Sequence, residues 1–197
     1  YGTDRCATAA AISRATFATG VPVAYVATGV DYPDALAGVP AAGVQRGPVL
    51  LVRPTALPGA TATELGRLKP QRIVILGGTG AVSAAVAAQL QTYTPSTVQR
   101  RSGADRYATA VAISRATFAP AVPQVFIATG RNYPDGLTGG PAAALRGGPL
   151  LLVPGTSLPS SVSAELLRLD PRRVTILGGT GAVSDEVRAQ INALLNR

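Results

Sequence analysis

Residues 72–83 read RIVILGGTGAVS, and residues 173–184 read RVTILGGTGAVS. Each stretch opens on β-branched and aliphatic residues, turns on closely spaced glycines and reaches a serine able to cap a following helix. The apolar run is short and does not alternate with polar residues. It therefore reads as a strand buried on both faces, the pattern of a parallel sheet covered by helices. The stretch predicts an α/β fold, and its recurrence predicts that the fold occurs twice.

Working outward, a constant offset of 101 residues lays 1–96 on 102–197 with 53 identities and no insertion or deletion. A repeat this long is domain-sized rather than solenoid-like. The predicted division is a first copy over 1–95 and a second over 96–197. In the first copy, residues 7–17 form an alanine-rich helix with Thr3 or Asp4 as its cap, and 23–27 a strand. Pro33 at a first helical position, with Asp34 in the first turn, opens a helix to about Gln45. Residues 49–52 (VLLV) are a second strand, 58–68 a helix, 72–76 a third strand and 83–91 a helix. Residues 96–101 (STVQRR) read as an extra strand leading into the second copy. Each copy is thus expected to be a three-layer α/β/α unit with a parallel sheet and right-handed crossovers.

Of the 197 residues, 47% are hydrophobic, ample for a core, and no apolar run reaches the roughly 18 residues of a membrane span. No membrane partner is expected. The opening YGTDRCATAA lacks a signal peptide's basic start and apolar stretch, so an export signal, and quite possibly a further repeat, is expected upstream. The net charge of +8 rests on 17 arginines and one lysine. Their forked donors suit phosphate or carboxylate, although a GC-rich gene also yields an arginine and alanine excess.

Cys6 is the only cysteine and its counterpart is Tyr107, so it reads as a core filler. With no histidine, Ser-His-Asp and Cys-His catalysis and histidine-bearing zinc sites are excluded. No cofactor or metal is expected. Only three acidic positions recur in both copies: Asp4/Asp105, Asp34/Asp135 and Glu64/Glu165, the last expected on a solvated helix face.

Two motifs carry candidate sites. The glycine-rich turn, with Gly77, Gly78, Gly80 and Ser83 repeated as Gly178, Gly179, Gly181 and Ser184, is either a tight structural turn with helix-capping serines or an anion cradle. It lacks the P-loop lysine and departs from the dinucleotide fingerprint. The second joins Asp4 and Arg5 to Tyr32, Pro33 and Asp34, all kept as Asp105, Arg106, Tyr133, Pro134 and Asp135. Either Arg5 pairs with Asp34 to fix two helix starts, or Arg5 and Arg106 point into a crevice beyond the strand ends, the usual ligand position in open α/β sheets. A nucleotide- or metal-dependent enzyme built on the turn and Asp4/Asp34 is one alternative. Nucleic-acid binding is another, disfavoured because the arginines are scattered and the aromatics form no stacking run.

The Gly-x-Asp-Arg-x-x-Thr-Ala start, the ATG-x-x-Tyr-Pro-Asp segment, the Gly-Pro-[Val/Leu]-Leu-Leu-Val strand and the Ile-Leu-Gly-Gly-x-Gly-Ala-Val-Ser turn occur in order in both copies. Together they resemble the cell wall binding type 2 repeat family. The resemblance implies a Toprim- or Rossmann-like unit, commonly packed as a pseudo-trimer. It implies a non-catalytic, non-covalent anchor for S-layer proteins, amidases and other exported proteins on an anionic polysaccharide of the Gram-positive wall, and thus an extracellular place. The family's Ile-Leu-Leu motif, linked to polymer binding, falls on Val49, Leu50 and Leu51 and on Leu150, Leu151 and Leu152. Leucines on such a strand are core by default and could act by shaping contacts between units. Arg5, Arg106 and Arg53, the last found in the first copy only, are the expected direct contacts. Two copies where three are usual imply a further repeat upstream or in a second chain.

Overall fold

The computed structural model describes residues 1–196. Helices and strands alternate as α1 (Arg5–Thr16), β1 (Ala24–Thr28), α2 (Pro33–Val44), β2 (Val49–Val52), α3 (Gly59–Leu68), β3 (Ile73–Leu76) and α4 (Ala84–Leu90), with a 3-10 turn at Gln91–Tyr93. There follow β4 (Gln99–Arg101), α5 (Arg106–Thr117), β5 (Val125–Thr129), α6 (Pro134–Leu145), β6 (Leu150–Val153), α7 (Ser160–Leu169), β7 (Val174–Ile176) and α8 (Asp185–Leu195). All strand pairs are parallel, in sheets ordered β2-β1-β3-β4 and β6-β5-β7. The α/β class and the parallel sheets read from the sequence are present.

One expectation is overturned. Gln99–Arg101 does not open the second copy's sheet; it pairs with β3, Val74 opposite Gln99 and Leu76 opposite Arg101. It supplies partners for the backbone groups along the outer edge of β3, groups that cannot be left unsatisfied inside a fold. Among the described residues β7 has a strand on one side only.

The first sheet is covered on one face by α3 and α4, where Leu65, Leu68, Val86 and Leu90 close over Val26, Leu50, Ile73 and Ile75. On its other face, Tyr25, Ala27, Val74 and Leu76 join one continuous cluster with α2 and the core of the second copy. The two copies therefore share a core.

Their contact is head-to-tail rather than symmetric. Helix α2 lies against α6, α5 and β6. Small residues set the closeness. A Cβ on Gly136 would stand 3.0 Å from Leu36 Cδ1, and one on Gly140 would stand 3.1 Å from Val39. Equivalent positions consequently differ in burial. Leu36 is 5% exposed and its counterpart Leu137 55%; Ile113 is 1% exposed and its counterpart Ile12 62%. The first copy thus buries its α2 face and leaves its α1 face open, and the second copy does the reverse.

The expectation for the recurring glutamates also fails. Glu64 and Glu165 are fully buried, not solvated. Glu165 accepts hydrogen bonds from Ser114 Oγ at 2.6 Å, Arg115 Nε at 3.0 Å and both Nε and Nη2 of Arg168 at 2.8 and 2.7 Å. Glu64 takes the same bonds from Ser13 and Arg67, with Arg14 at 3.6 Å. Arg67 and Arg168 also donate to the carbonyls of Phe17 and Phe118, tying each third helix to the end of the first. Burial works to raise the pKa of both glutamates, but the arginine and serine donors outweigh it and hold each below the ordinary carboxylate range. A serine and two arginines waiting at the site, rather than water, make the burial tolerable.

Candidate functional site

The strand order reverses at β1, so the loops after β1 and β3 part at the carboxyl end of the first sheet and leave a crevice. Asp4 and Asp105 cap α1 and α5 there, each accepting from a backbone N–H three residues on, Ala7 at 2.8 Å and Ala108 at 2.7 Å. Arg5 does not pair with Asp34. Its Nη1 donates to the Gly29 carbonyl at 2.5 Å, and Arg106 does the same to Gly130. The arginine of each copy thus ties the start of its first helix to the end of the strand that follows it. Arg106 also reaches Asp31 of the first copy at 3.5 Å.

Asp34 sits against the glycine turn. A Cβ on Gly77 would overlap its Oδ2, as one on Gly178 would overlap Asp135, and both glycines have positive φ, 98° and 88°. Glycine is required there on both counts. Burial, then the neighbouring Asp31, push the Asp34 carboxyl above its usual range, with Arg106 acting the other way. Tyr32 and Tyr133 meet edge to face with centroids 5.5 Å apart, and Tyr32 donates to the Arg131 carbonyl across the copies at 2.8 Å.

The crevice has a volume of about 420 Å³ and is walled by both copies: Asp31, Asp34, Gly78 and Gly80 from the first, Asp105 and Arg106 from the second. Its counterpart beside Arg131, Asn132 and Asp135, about 400 Å³, is walled by the second copy alone. Arg53 stands outside, 67% exposed, with Asp4 at 3.9 Å. The crevice itself is not basic, since three carboxyls face one guanidinium.

The two flanks of the glycine turn are bonded into the fold. The N–H groups of Gly77, Ala81, Val82 and Ser83 are bonded to the carbonyls of Arg101, Gly78, Gly78 and Pro54, and Ser83 Oγ caps α4. Its outward carbonyls, Gly77, Gly78 and Val82, all accept from the Arg100 guanidinium at 2.8 to 2.9 Å. The carbonyl side of the turn thus receives a cation, while the N–H groups of Gly78, Thr79 and Gly80 have no hydrogen-bond partner among the described residues. In the second copy Ala182, Val183 and Ser184 repeat the internal bonding, while Ser184 Oγ is buried with no hydrogen-bond partner among the described residues. Arg100→Gln is expected to destabilise the chain by about 1.5 to 3 kcal/mol, the worth of charge-assisted bonds lost, read as a lowered urea midpoint.

The strand leucines are core. Leu50, Leu151 and Leu152 are fully buried and Leu150 is 1% exposed, so their side chains do not face solvent. Val49 and Leu51 are half-buried, whereas their counterparts Leu150 and Leu152 are also packed by α2 of the first copy.

What the motifs did not reveal is where the charge lies. The loops leading into the strands carry Arg46, Lys69, Arg72, Arg146, Arg172 and Arg173, with Asp170 as the sole acid. The last turns of α1, α3, α5 and α7 add Arg14, Arg67, Arg115 and Arg168. At the carboxyl end, by contrast, Asp4, Asp31, Asp34, Asp105, Asp135, Asp185 and Glu186 outnumber Arg5, Arg53, Arg106, Arg131 and Arg188. The positive surface belongs to the amino end of both sheets. It was legible only after the strands were placed, since the residues are scattered in sequence. Among the described residues no group of three metal-ligating side chains converges, and no helix is long and apolar enough to cross a membrane.

A family model described as cell wall binding domain 2 matches residues 1–87 and 100–188. The chain is 31% identical over 186 residues to the N-acetylmuramoyl-L-alanine amidase LytC of Bacillus subtilis, and 32% identical over 194 residues to the amidase enhancer of the same organism. It accounts for 94% and 96% of this chain but only 37% and 26% of those proteins. Among solved structures, Cwp6 and Cwp8 from Clostridium difficile superpose with TM-scores of 0.88 and 0.89 at 26% identity, over 98% and 99% of this chain and 31% and 33% of theirs.

Proposed function

Because this chain belongs to the cell wall binding domain 2 family, we propose that it anchors a larger exported protein, without covalent attachment or catalysis of its own, to an anionic polysaccharide of a Gram-positive cell wall. The carrying observation is that both copies match the family, in a chain whose arginines crowd one end of its sheets. The relatives support the same division of labour: an amidase and an amidase enhancer each contain one stretch of this kind within a much longer protein. A wall hydrolase and an S-layer protein are both fitting carriers, and the wall outside the cell is the fitting place. The enzyme alternative finds less support, since both relatives carry this kind of stretch as a minor part of a longer wall protein.

The head-to-tail contact points to further repeats as partners. The open α6 face, with Leu137 at 55% exposure, is the counterpart of the face that α2 buries through Leu36. The open α1 face, with Ile12, is the counterpart of the one α5 buries. A third unit, in the same protein or in a second chain, fits both and closes the set. It would also wall the second crevice as Asp105 and Arg106 wall the first.

Sedimentation with purified walls, before and after removal of their secondary polymers, tests the anchoring. The chain is expected to pellet with intact walls and to stay in solution with stripped ones. Equal binding to both preparations, or none to either, sinks the proposal.

A further inference from the structure

We propose that the cleft between the first sheet's amino end and helix α5 is an anion site that takes one phosphate group of a larger polyanion. It holds about 90 Å³, roughly three waters' share of liquid volume, enough for a tetrahedral oxyanion. Tyr25, Gln45, Arg72, Gln99 and Arg101 line it from the first sheet and its flank, and Thr117 from the second copy. No acidic residue is among its lining.

Two guanidiniums thus line one cleft with no acidic side chain in its wall. The donors are aimed and only partly used. Arg72 places Nη2 on the Gln45 carbonyl oxygen, which also accepts the Tyr25 hydroxyl at 2.9 Å, while its Nε is buried with no partner among the described residues. Arg101 folds back along β4 to Gln99 Oε1 at 2.7 Å. A buried, unpartnered donor leaves the Arg72 charge under-satisfied, and an anion in the cleft beside it offsets that cost through its charge. Burial pushes the Tyr25 phenol up, while Thr117 and the charges of Arg72 and Arg101 act the other way, as expected for a hydroxyl beside both cations.

Phosphate fits better than carboxylate because the donors come from two separate forks and from hydroxyl and amide groups between them. A planar carboxylate is matched by one fork alone. The cleft also exists only where the copies meet: β4 brings Arg101 to β3, and α5 closes the far side. In the second sheet Arg146 and Arg173 occupy the positions of Gln45 and Arg72, but both are exposed. The charge is repeated there without the enclosure.

The inference rests on the anchoring proposal only for what carries the phosphate. Calorimetric titration of the whole chain with inorganic phosphate, against acetate and chloride at equal ionic strength, tests it. Phosphate is expected to bind with measurable heat and the other two without it. Arg101→Gln is expected to weaken phosphate binding by about tenfold or more, Arg101→Lys to fall between, and Arg188→Gln, remote from the cleft, to leave it unchanged. Unfolding midpoints of each variant confirm that the fold is intact. Phosphate no better than chloride, acetate as good as phosphate, or equal losses in Arg101→Gln and Arg188→Gln would overturn the assignment. Should phosphate fail while the walls still pellet the chain, the cleft is excluded and the anchor stands. Phosphate binding without wall binding leaves the cleft and removes the anchor.

Discussion

Glu165→Ala is expected to remove about 3 to 5 kcal/mol of unfolding free energy, the cost of breaking a buried ion pair from one side. The carboxylate is wholly shielded from water, and Ser114, Arg115 and Arg168 all turn their donors toward it. Alanine leaves those donors facing an apolar space, and Arg168 loses the partner that holds it against the Phe118 carbonyl. Urea unfolding at neutral pH checks the magnitude. The pH dependence checks the cause. Glu165 has a folded pKa below its unfolded value, so its contribution is complete above the unfolded carboxylate value, about 4.3, and fades as pH falls through the depressed folded one. The gap between wild type and Glu165→Ala should therefore narrow in acid. A gap constant from pH 7 down to strongly acidic conditions would contradict the ion-pair account.

The second large effect separates two residues that the sequence makes equivalent. Leu36→Ala is expected to cost about 2 to 5 kcal/mol, as for other buried leucines, because Leu36 fills the seam against Gly136 and Leu150. Leu137→Ala, the same change one repeat later, is expected to stay within about 0.5 kcal/mol, its side chain being more than half exposed. If α6 is the open end of a head-to-tail series, Leu137 matters for association instead. Leu137→Asp should then abolish any self-association of the chain seen by analytical ultracentrifugation while sparing its thermal midpoint. Similar stability losses at both positions would mean that the copies meet symmetrically.

Much of this was legible before any coordinates. The unmixed apolar runs of VLLV and RIVIL gave the parallel strands, and Pro33 and Asp4 marked helix starts that the backbone confirms. The misreadings have physical causes. Glu64 looked solvated because a lone glutamate on a helix usually is. Its burial depends on Ser13, 51 residues away, and on an arginine whose pairing no local pattern reveals. Residues 96–101 were assigned to the copy they precede, whereas strand pairing is decided by which edge lies open. Arg5 and Asp34 shared retention in both copies, but each is retained for a separate job, one on a carbonyl and one against a glycine turn. Burial differences such as Ile12 against Ile113 lay beyond any single-copy reading, since they arise from the contact between copies.

The lopsided placement of arginine has a consequence for approach as well as for grip. With its positive pole at the strand starts and an acidic opposite pole, the chain carries a permanent moment along the strand direction. Near an extended polyanion such an object feels a torque, not just an attraction, and swings like a compass needle before contact. Salt confines the effect to the last stretch of about 8 Å at physiological ionic strength. Over that distance the basic end turns to lead, and the crevice with its carboxyls trails on the side away from the polymer.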